Sequence, residues 1–187
     1  IRTFDETFSL FAPELQLGFL KMLRGTPLRR DAARLGYDYD PNPPYQVKRS
    51  AVLSDADLDR IVRVEDVLEH FWNRGFMPEA MILIHAAVPS MFGFMEAFHA
   101  FLVERKFSFV RHQMHQLFRL LDDFVTATIP THNAIIHDTL IRTYLERADV
   151  KPKPWWSPRQ YEFEHKSALL QRAHAIDPSI PLDDYFK

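Results

Sequence analysis

A length of 187 residues suits one domain, or one domain with part of a second. The net charge of −2 gives no sign of a nucleic-acid partner, and the absence of cysteine excludes disulfides, zinc–thiolate sites and iron–sulfur ligation by these residues. With 47% hydrophobic residues, including 16 Phe, the chain has ample material for a buried core.

The N-terminal segment predicts a strand, a turn and a helix. Residues 15–23 are mostly apolar and predict a strand, Thr26 suits a helix N-cap, and Pro27 suits the first helical position. We expect this helix to run to Leu35 and to end at Gly36. Strand–turn–helix units of this kind build α/β barrels. Because the chain opens on isoleucine rather than methionine and the strand has no partner nearby in sequence, we expect the end of a longer polypeptide.

A short extended segment and a long helix are predicted next. Residues 45–53 follow a loop rich in proline and aspartate and predict the extended segment. Ser54 and Asp57 have the spacing of a capping box, with aspartate in place of the usual glutamate. The helix that they begin is predicted to run to about Arg74 and to end at Gly75.

From residue 78 the pattern is helical almost to the end of the chain. Helices are predicted on both sides of Pro89, from about residue 110 to Pro130, over residues 133–148, and after the N-cap signal at Ser157. The third of these helices is expected to bury Val110, Met114, Leu117, Phe118, Leu121, Phe124 and Val125. The fourth is expected to bury Ile136, Leu140, Tyr144 and Leu145. The sequence therefore predicts a mainly α fold, a bundle of about six helices with a small β element near the N-terminus.

No stretch of the sequence is long and apolar enough to suggest a membrane span. The longest apolar stretch, residues 81–95, is shorter than the about 20 residues that a spanning helix needs, and His85 and Pro89 interrupt it. The first residues lack the basic and apolar regions of a signal peptide. We therefore expect a soluble protein with no membrane partner, and the lack of a disulfide framework fits a cytoplasmic location.

Short motifs follow one another in a characteristic order over the first 80 residues. They are QLGFLK at 16–21, GTPLR at 25–29, GY at 36–37, PPY at 43–45, VEDVLE at 64–69 and FWNRGF at 71–76. In this order they resemble the C-terminal part of one group of radical S-adenosylmethionine (SAM) proteins. Those proteins carry a cobalamin-binding domain, a radical SAM barrel and a helical C-terminal extension known as DUF4080.

The resemblance implies that residues 1–36 are the end of the barrel and residues 37–187 the helical extension domain. It implies a parent enzyme that uses a 4Fe–4S cluster, S-adenosylmethionine and cobalamin, with the rest of that polypeptide as the partner of this chain. The cluster-binding cysteines and the cobalamin-ligand motif do not occur in this sequence, so we expect the chain itself to bind none of these cofactors. Lys21 and Arg24 are nearest to the expected cofactor end of the barrel, and ordinary solvent-exposed positions are the alternative.

Histidines suggest a candidate metal site. His112 and His115 are three residues apart on a predicted helix and hence on one face, and His137 lies on the following helix. Antiparallel packing could bring them together with a carboxylate, a donor set that suits zinc or iron. The alternative is a set of scattered surface or capping histidines.

Aromatic and acidic residues suggest further candidate sites. The phenylalanines at helical spacing between residues 92 and 124 favour a core, with a ligand pocket as the alternative, and any exposed rings would let the isolated chain form homodimers or aggregates. Trp155 and Trp156 in a proline-rich loop suggest either an interface anchor or a clamp over the last helix. Glu65 and Glu69 favour a solvated, ion-paired helix face over an acid–base pair.

Two hypotheses about function follow. The first is a non-catalytic accessory domain of a cobalamin-dependent radical SAM enzyme, which covers or supports the barrel. The alternative is a self-standing helical module that binds a ligand or a protein, and a histidine–carboxylate metalloenzyme is a third.

Overall fold

Helices dominate the part of the chain that the computed structural model describes, which comprises residues 1–147, 154–156 and 171. The elements are α1 (Arg2–Phe8), α2 (Pro27–Arg30), β1 (Asp38–Tyr39), β2 (Val47–Arg49), α3 (Asp55–Leu68), a π-helical turn (Glu69–Asn73), α4 (Pro78–Ala87), α5 (Met91–Glu104), α6 (Met114–Thr128) and α7 (Asn133–Arg147). β1 and β2 pair antiparallel. The predicted mainly α fold with a small β element near the N-terminus is confirmed.

The chain divides into two compact units, Ile1–Lys153 and Pro154–Lys187. All the elements named above lie in the first unit. The helix predicted after Ser157 lies outside the described residues. The boundary predicted at residue 36 stays a prediction, although α1 packs against α5 within the first unit.

Local signals set the helix ends where the sequence predicts them. The Thr26 hydroxyl accepts a hydrogen bond from the backbone N–H of Arg29 at 3.3 Å. Ser54 and Asp57 form the predicted capping box, with each side chain accepting from the other residue's backbone N–H. Gly75 adopts φ +62°, a left-handed conformation that favours glycine after a helix. Such signals depend on a few adjacent residues, so the helix ends that they set do not depend on distant residues of the fold.

The strand predicted over residues 15–23 is wrong in extent. The segment is extended, but only Lys21 forms a β-bridge, with Gln46. Two further backbone hydrogen bonds flank it, from Met22 N to Tyr45 O at 2.8 Å and from Val47 N to Leu20 O at 2.9 Å. The segment thus has a neighbouring strand over only three residues, too few for a regular sheet.

Helix α2 is also shorter than predicted. It ends at Arg30 instead of Leu35, because the hydrogen bonding changes to the tighter i−3 pattern at Ala32, whose N–H donates to Arg29 O at 3.3 Å. Turns continue to Gly36, where φ is +71°. The predicted glycine stop is therefore correct, but turns replace the second half of the helix.

The core lies between α3, the π-helical turn, α5 and α6. Phe98 is its centre, with ring centroids 4.7 Å from Phe71 and 4.9 Å from Phe124. The stripe residues buried in this core are Phe92, Phe94, Phe98, Phe118 and Phe124. This burial agrees with the core interpretation of the aromatic stripe.

Two residues predicted to be buried are exposed. Val110 is 89% exposed because it lies in the loop before α6, which begins only at Met114. Leu145 is 47% exposed because the buried positions of α7 recur from Ile136 in steps of four, and residue 145 is rotated about 100° from that stripe.

Candidate functional site

The histidines proposed as metal ligands are not gathered at one place. His112 lies in the loop between α5 and α6 rather than on a helix, so the predicted face shared with His115 does not exist. The imidazole of His112 accepts a hydrogen bond from Arg74 Nη1 at 2.7 Å through Nε2, and its Nδ1 donates to Ser108 O at 3.1 Å. His115 lies in the first turn of α6.

His137 is used in packing between helices. Its Nδ1 lies 2.8 and 2.9 Å from the two carboxylate oxygens of Asp122, a buried residue of α6. Among the residues that the structure describes, no group of three or more histidine, aspartate or glutamate side chains could hold a metal ion. The described arrangement therefore gives the metal hypothesis no support.

The loop of residues 105–113, here called the α5–α6 loop, is held against the helices by histidines. His70 on the π-helical turn is buried, and its Nε2 lies 2.8 Å from Phe109 O. The ring of His99 stacks on Phe109 with centroids 5.4 Å apart, and its Nε2 is 3.4 Å from Asp66 Oδ2. These contacts fix the middle of the loop to the π-helical turn and to α5.

Two of the histidines around the loop have lowered pKa values. Burial lowers the pKa of His99 and outweighs the opposing attraction of Asp66. Burial also lowers the pKa of His112, and the positive charges of Arg74 and His70 add to the effect. The lowered pKa values favour the neutral imidazoles, in agreement with the acceptor role of His112 toward Arg74.

Two adjoining clefts flank the α5–α6 loop. The larger has a volume of about 490 Å³, and the smaller one of about 430 Å³. They share Arg111 and Gln116 in their linings. The basic side chains that line them are Arg74, Arg105, Lys106, Arg111 and Arg119. Asp123 is the one carboxylate among the described lining residues, and we call the two clefts together the cationic cleft.

Backbone geometry fixes two of the three basic residues that line the larger cleft from the loop. Lys106 has φ +55° and occupies the left-handed position after α5. Its N–H donates to Val103 O and that of Phe107 donates to Leu102 O, both at 2.9 Å, which is the Schellman arrangement at a helix end. The N–H of Arg111 donates to Ser108 Oγ at 3.1 Å.

The cations of the cleft differ in what they contact. Arg105 lies 3.4 Å from the ring centroid of Phe101, and Arg119 is 3.7 Å from Asp123. Arg74 donates to His112, as described above. Within the described residues, the charged ends of Lys106 and Arg111 form no ion pair or hydrogen bond.

Sequence reasoning missed the cationic cleft, although one signal was present. Residues 105–119 contain two arginines and a lysine in the loop and a further arginine on α6, with no aspartate or glutamate, in a chain whose net charge is −2. The signal says only that the segment is basic. The clefts depend on how α5, the loop and α6 pack together.

The arginines of α3 form ion pairs with α5. Arg60 binds Glu96 of α5 through two hydrogen bonds of 2.7 and 2.9 Å, and Arg63 lies 3.4 Å from the same carboxylate. The reason is that α3 packs against α5 on this side. Burial raises the pKa of Glu65, and the nearby Asp66 and Glu69 add to the rise.

The π-helical turn also holds the N-terminal segment. The amide of Asn73 accepts from Leu15 N at 3.0 Å and donates to Leu15 O at 3.1 Å. The indole N–H of Trp72 donates to Ala12 O at 2.9 Å, and its ring lies 4.8 Å from Phe8. Short π-helical turns often occur at functional sites, and this one aims two adjacent side chains at one backbone segment.

The residues expected to face a barrel cofactor are exposed here. Lys21 contributes its backbone to the bridge with Gln46, and the guanidinium of Arg24 lies 5.4 Å from the ring centroid of Tyr45. In the second unit, Trp155 and Trp156 are both half-buried, with their rings edge to face at 4.9 Å. The interface role of the two tryptophans stays a prediction.

Over the described part of the chain, no single helix has the length and apolar composition to cross a membrane. The pair α4 and α5 meets those criteria only when taken together, and the two helices are bent by 113°.

Comparison with protein families identifies a match over most of the chain. The family described as "Protein of unknown function (DUF4080)" matches residues 33–182, which is more than half of the chain. No curated protein and no solved structure matches the chain.

Proposed function

The chain belongs to the DUF4080 family, and we propose that it is a non-catalytic accessory region of a cobalamin-dependent radical SAM enzyme. In this proposal residues 1–36 are the end of the barrel, and the helical domain supports or covers that barrel. The 4Fe–4S cluster, S-adenosylmethionine and cobalamin belong to the rest of the parent polypeptide, and the enzyme is cytoplasmic.

The observation that carries the proposal is the contact between the FWNRGF motif and the segment that precedes the QLGFLK motif. The residues of FWNRGF that hold the N-terminal segment are Trp72 and Asn73, and the segment that they hold leads directly into QLGFLK. The helical domain therefore has a built attachment point for the segment assigned to the barrel. Such an attachment suits a domain that supports the end of a barrel.

The free edge of the N-terminal segment gives further support. Within the described part of the chain, residues 16–19 form no backbone–backbone hydrogen bond. Leu20 and Leu23, which follow them, are exposed. Strand edges with unpaired amides and apolar neighbours tend to pair with another strand. In the proposal, the neighbouring strand of the barrel takes that place.

The test is made on the full natural polypeptide purified without oxygen. We expect a 4Fe–4S absorption band and the reductive cleavage of S-adenosylmethionine to 5′-deoxyadenosine and methionine. The 187-residue chain alone should show neither. A natural polypeptide without a Cys-x-x-x-Cys-x-x-Cys stretch, or without a bound cluster after reconstitution, would contradict the proposal.

The accessory role has its own test in the same full polypeptide. Asn73→Ala should lower the yield of 5′-deoxyadenosine because it releases the segment assigned to the barrel end. Gln16→Ala is the matched control, since within the described part of the chain its side-chain amide donates only to Glu14, two residues earlier. Equal yields from both variants and the unmodified enzyme would show that the attachment does not support the barrel.

A second candidate function is a self-standing helical module that binds a ligand. The cationic cleft favours it, because a cleft of this size and charge is unnecessary for packing alone. Under this alternative, the natural polypeptide would carry no cluster while the cleft would still bind its ligand.

A further inference from the structure

We propose that the cationic cleft is a binding site for a small phosphate-bearing anion, with Arg111 and Lys106 as its principal contacts and Arg74 and Arg119 at its two sides. The inference goes beyond the accessory role and does not depend on the chemistry of the parent enzyme.

The charge distribution around the cleft is the first argument. The lining brings together five arginine and lysine side chains and one carboxylate, in a chain whose net charge is −2. Like charges repel one another in a shared cleft, so this arrangement costs folding free energy unless an anion offsets it. Asp123 lies 3.7 Å from Arg119, and Glu104 lies 3.9 Å from Arg105. Among the described residues, Arg74, Lys106 and Arg111 have no carboxylate partner.

The availability of donors is the second argument. Arg111 is shared by both clefts, and within the described residues its guanidinium has no partner. The same is true of the ammonium group of Lys106. A guanidinium offers a planar pair of N–H donors that matches two phosphate oxygens, while an ammonium group adds a point charge.

Preorganisation is the third argument. The Schellman arrangement fixes the backbone of Lys106. Ser108 accepts two hydrogen bonds, one at Oγ from the N–H of Arg111 and one at its carbonyl oxygen from Nδ1 of His112. His70 ties the loop to the π-helical turn through Phe109 O. Because the loop is already held, binding would require little further ordering of the backbone, which favours affinity for a small ligand.

The size and charge of the site decide the class of ligand. Volumes of about 490 and 430 Å³ lie in the range of small-molecule pockets. Several cations around two adjoining clefts match a ligand with two or more closely spaced negative charges, such as a pyrophosphate group, better than a single carboxylate.

His112 provides a spectroscopic reporter inside the smaller cleft. Burial, Arg74 and His70 lower its pKa, and Ser108 O is its other polar neighbour. A phosphate group beside Arg74 and Arg111 would offset their positive charge and raise the pKa of His112. The rise would not occur if the anion bound elsewhere.

The experiment uses inorganic pyrophosphate as the probe, with the 187-residue chain at constant ionic strength. We expect saturable binding by calorimetry and a rise in the pKa of His112 measured by NMR. Arg111→Gln and Lys106→Gln should each weaken binding by about tenfold, since each removes one charge-assisted contact. Arg34→Gln is the control, because Arg34 is an exposed arginine outside the cleft, and it should change the affinity by less than about twofold.

The alternative outcomes each contradict the proposal. Absence of saturation at about 10 mM pyrophosphate would overturn it, as would equal weakening by Arg34→Gln, which would indicate general charge attraction. Citrate that binds as tightly as pyrophosphate would overturn the phosphate assignment. If a single-stranded oligonucleotide binds far more tightly than pyrophosphate, the ligand of the cleft is a nucleic acid and the proposal of a small anion is wrong. Circular dichroism of Arg111→Gln should match that of the unmodified chain, because this side chain is exposed.

Discussion

The substitution Asn73→Ala tests how firmly the helical domain holds the N-terminal segment. The side chain makes two hydrogen bonds to the backbone of Leu15, at 3.0 and 3.1 Å. Each such bond contributes about 0.5–1.5 kcal/mol net, so their loss should cost about 1–3 kcal/mol. The hydrogen bond from Asn73 to Glu69 is exposed and should add little to this loss.

The loss of these two hydrogen bonds should lower the free energy of local opening at Leu15 at least as much as the free energy of global unfolding. Trp72 still holds Ala12 in the variant, and Phe8 remains in its buried position. Amide hydrogen exchange at Leu15 reports the free energy of local opening, and urea unfolding followed by circular dichroism reports the global value. We expect the free energy of opening at Leu15 to fall by about 1–3 kcal/mol, with an equal or smaller global change.

The control for this prediction is Gln16→Ala, which removes an exposed amide from the same segment. It should change both free energies by less than about 0.5 kcal/mol. If Leu15 exchanges equally slowly in Asn73→Ala and in the unmodified protein, the side-chain hydrogen bonds do not hold the segment and the reasoning is refuted.

Three other predictions concern the core and the titratable groups. Phe98→Ala should destabilise the fold by about 3–5 kcal/mol in urea unfolding, because the ring is fully buried among other phenylalanines. The control is Val103→Ala, which removes an exposed side chain of the same helix and should cost less than about 0.5 kcal/mol. Similar losses of stability in the two variants would contradict the described core. Asp122→Ala should lower the melting temperature and cost about 1–3 kcal/mol, because it leaves the imidazole on α7 without its carboxylate partner; an unchanged melting temperature would count against that pairing. His99 and His112 have folded-state pKa values below their usual 6.5, so the unfolded chain binds more protons as the pH falls through 6.5, and stability should decrease there. Urea unfolding at pH values above and below 6.5 measures this decrease in stability. Replacement of both histidines by glutamine should make the decrease smaller. If acidification instead stabilises the unmodified protein and this gain is lost in the double variant, the predicted direction of the pH dependence is wrong.

Features that depend on adjacent residues could be predicted from the sequence. The hydroxyl caps at Thr26 and Ser54 and the break at Pro89 set helix ends through contacts within one turn, and the structure has these ends as predicted. The burial of Phe94, Phe98 and Phe124 followed from helical spacing. These features need no knowledge of what lies opposite them.

Features that depend on tertiary neighbours could not be predicted. The π-helical turn continues α3 without any break in the apolar pattern, so the sequence gives only one long helix there. Val110 fits the period of α6, yet the loop ends only at Gln113, whose backbone N–H donates to Gln116 Oε1 at 2.8 Å. The partner of Arg60 is on α5, 36 residues away, and no local rule identifies it.

The dependence on tertiary neighbours also explains why the sequence did not identify the histidine arrangement or the cationic cleft. His112 and His115 were grouped by spacing, but the spacing has meaning only inside a helix, and His112 precedes the helix. The cationic cleft was missed because its cations lie on three separate parts of the chain, the loop, α6 and the end of the π-helical turn at Arg74.

The most direct test of the accessory role is amide hydrogen exchange at residues 16–19. It is measured in the full natural polypeptide and in the 187-residue chain under the same conditions. If the segment is the edge of a barrel in the parent enzyme, these amides exchange slowly in the full polypeptide and rapidly in the isolated chain, where they have no backbone partner among the described residues. Rapid exchange in both would contradict the claim that the segment belongs to a barrel.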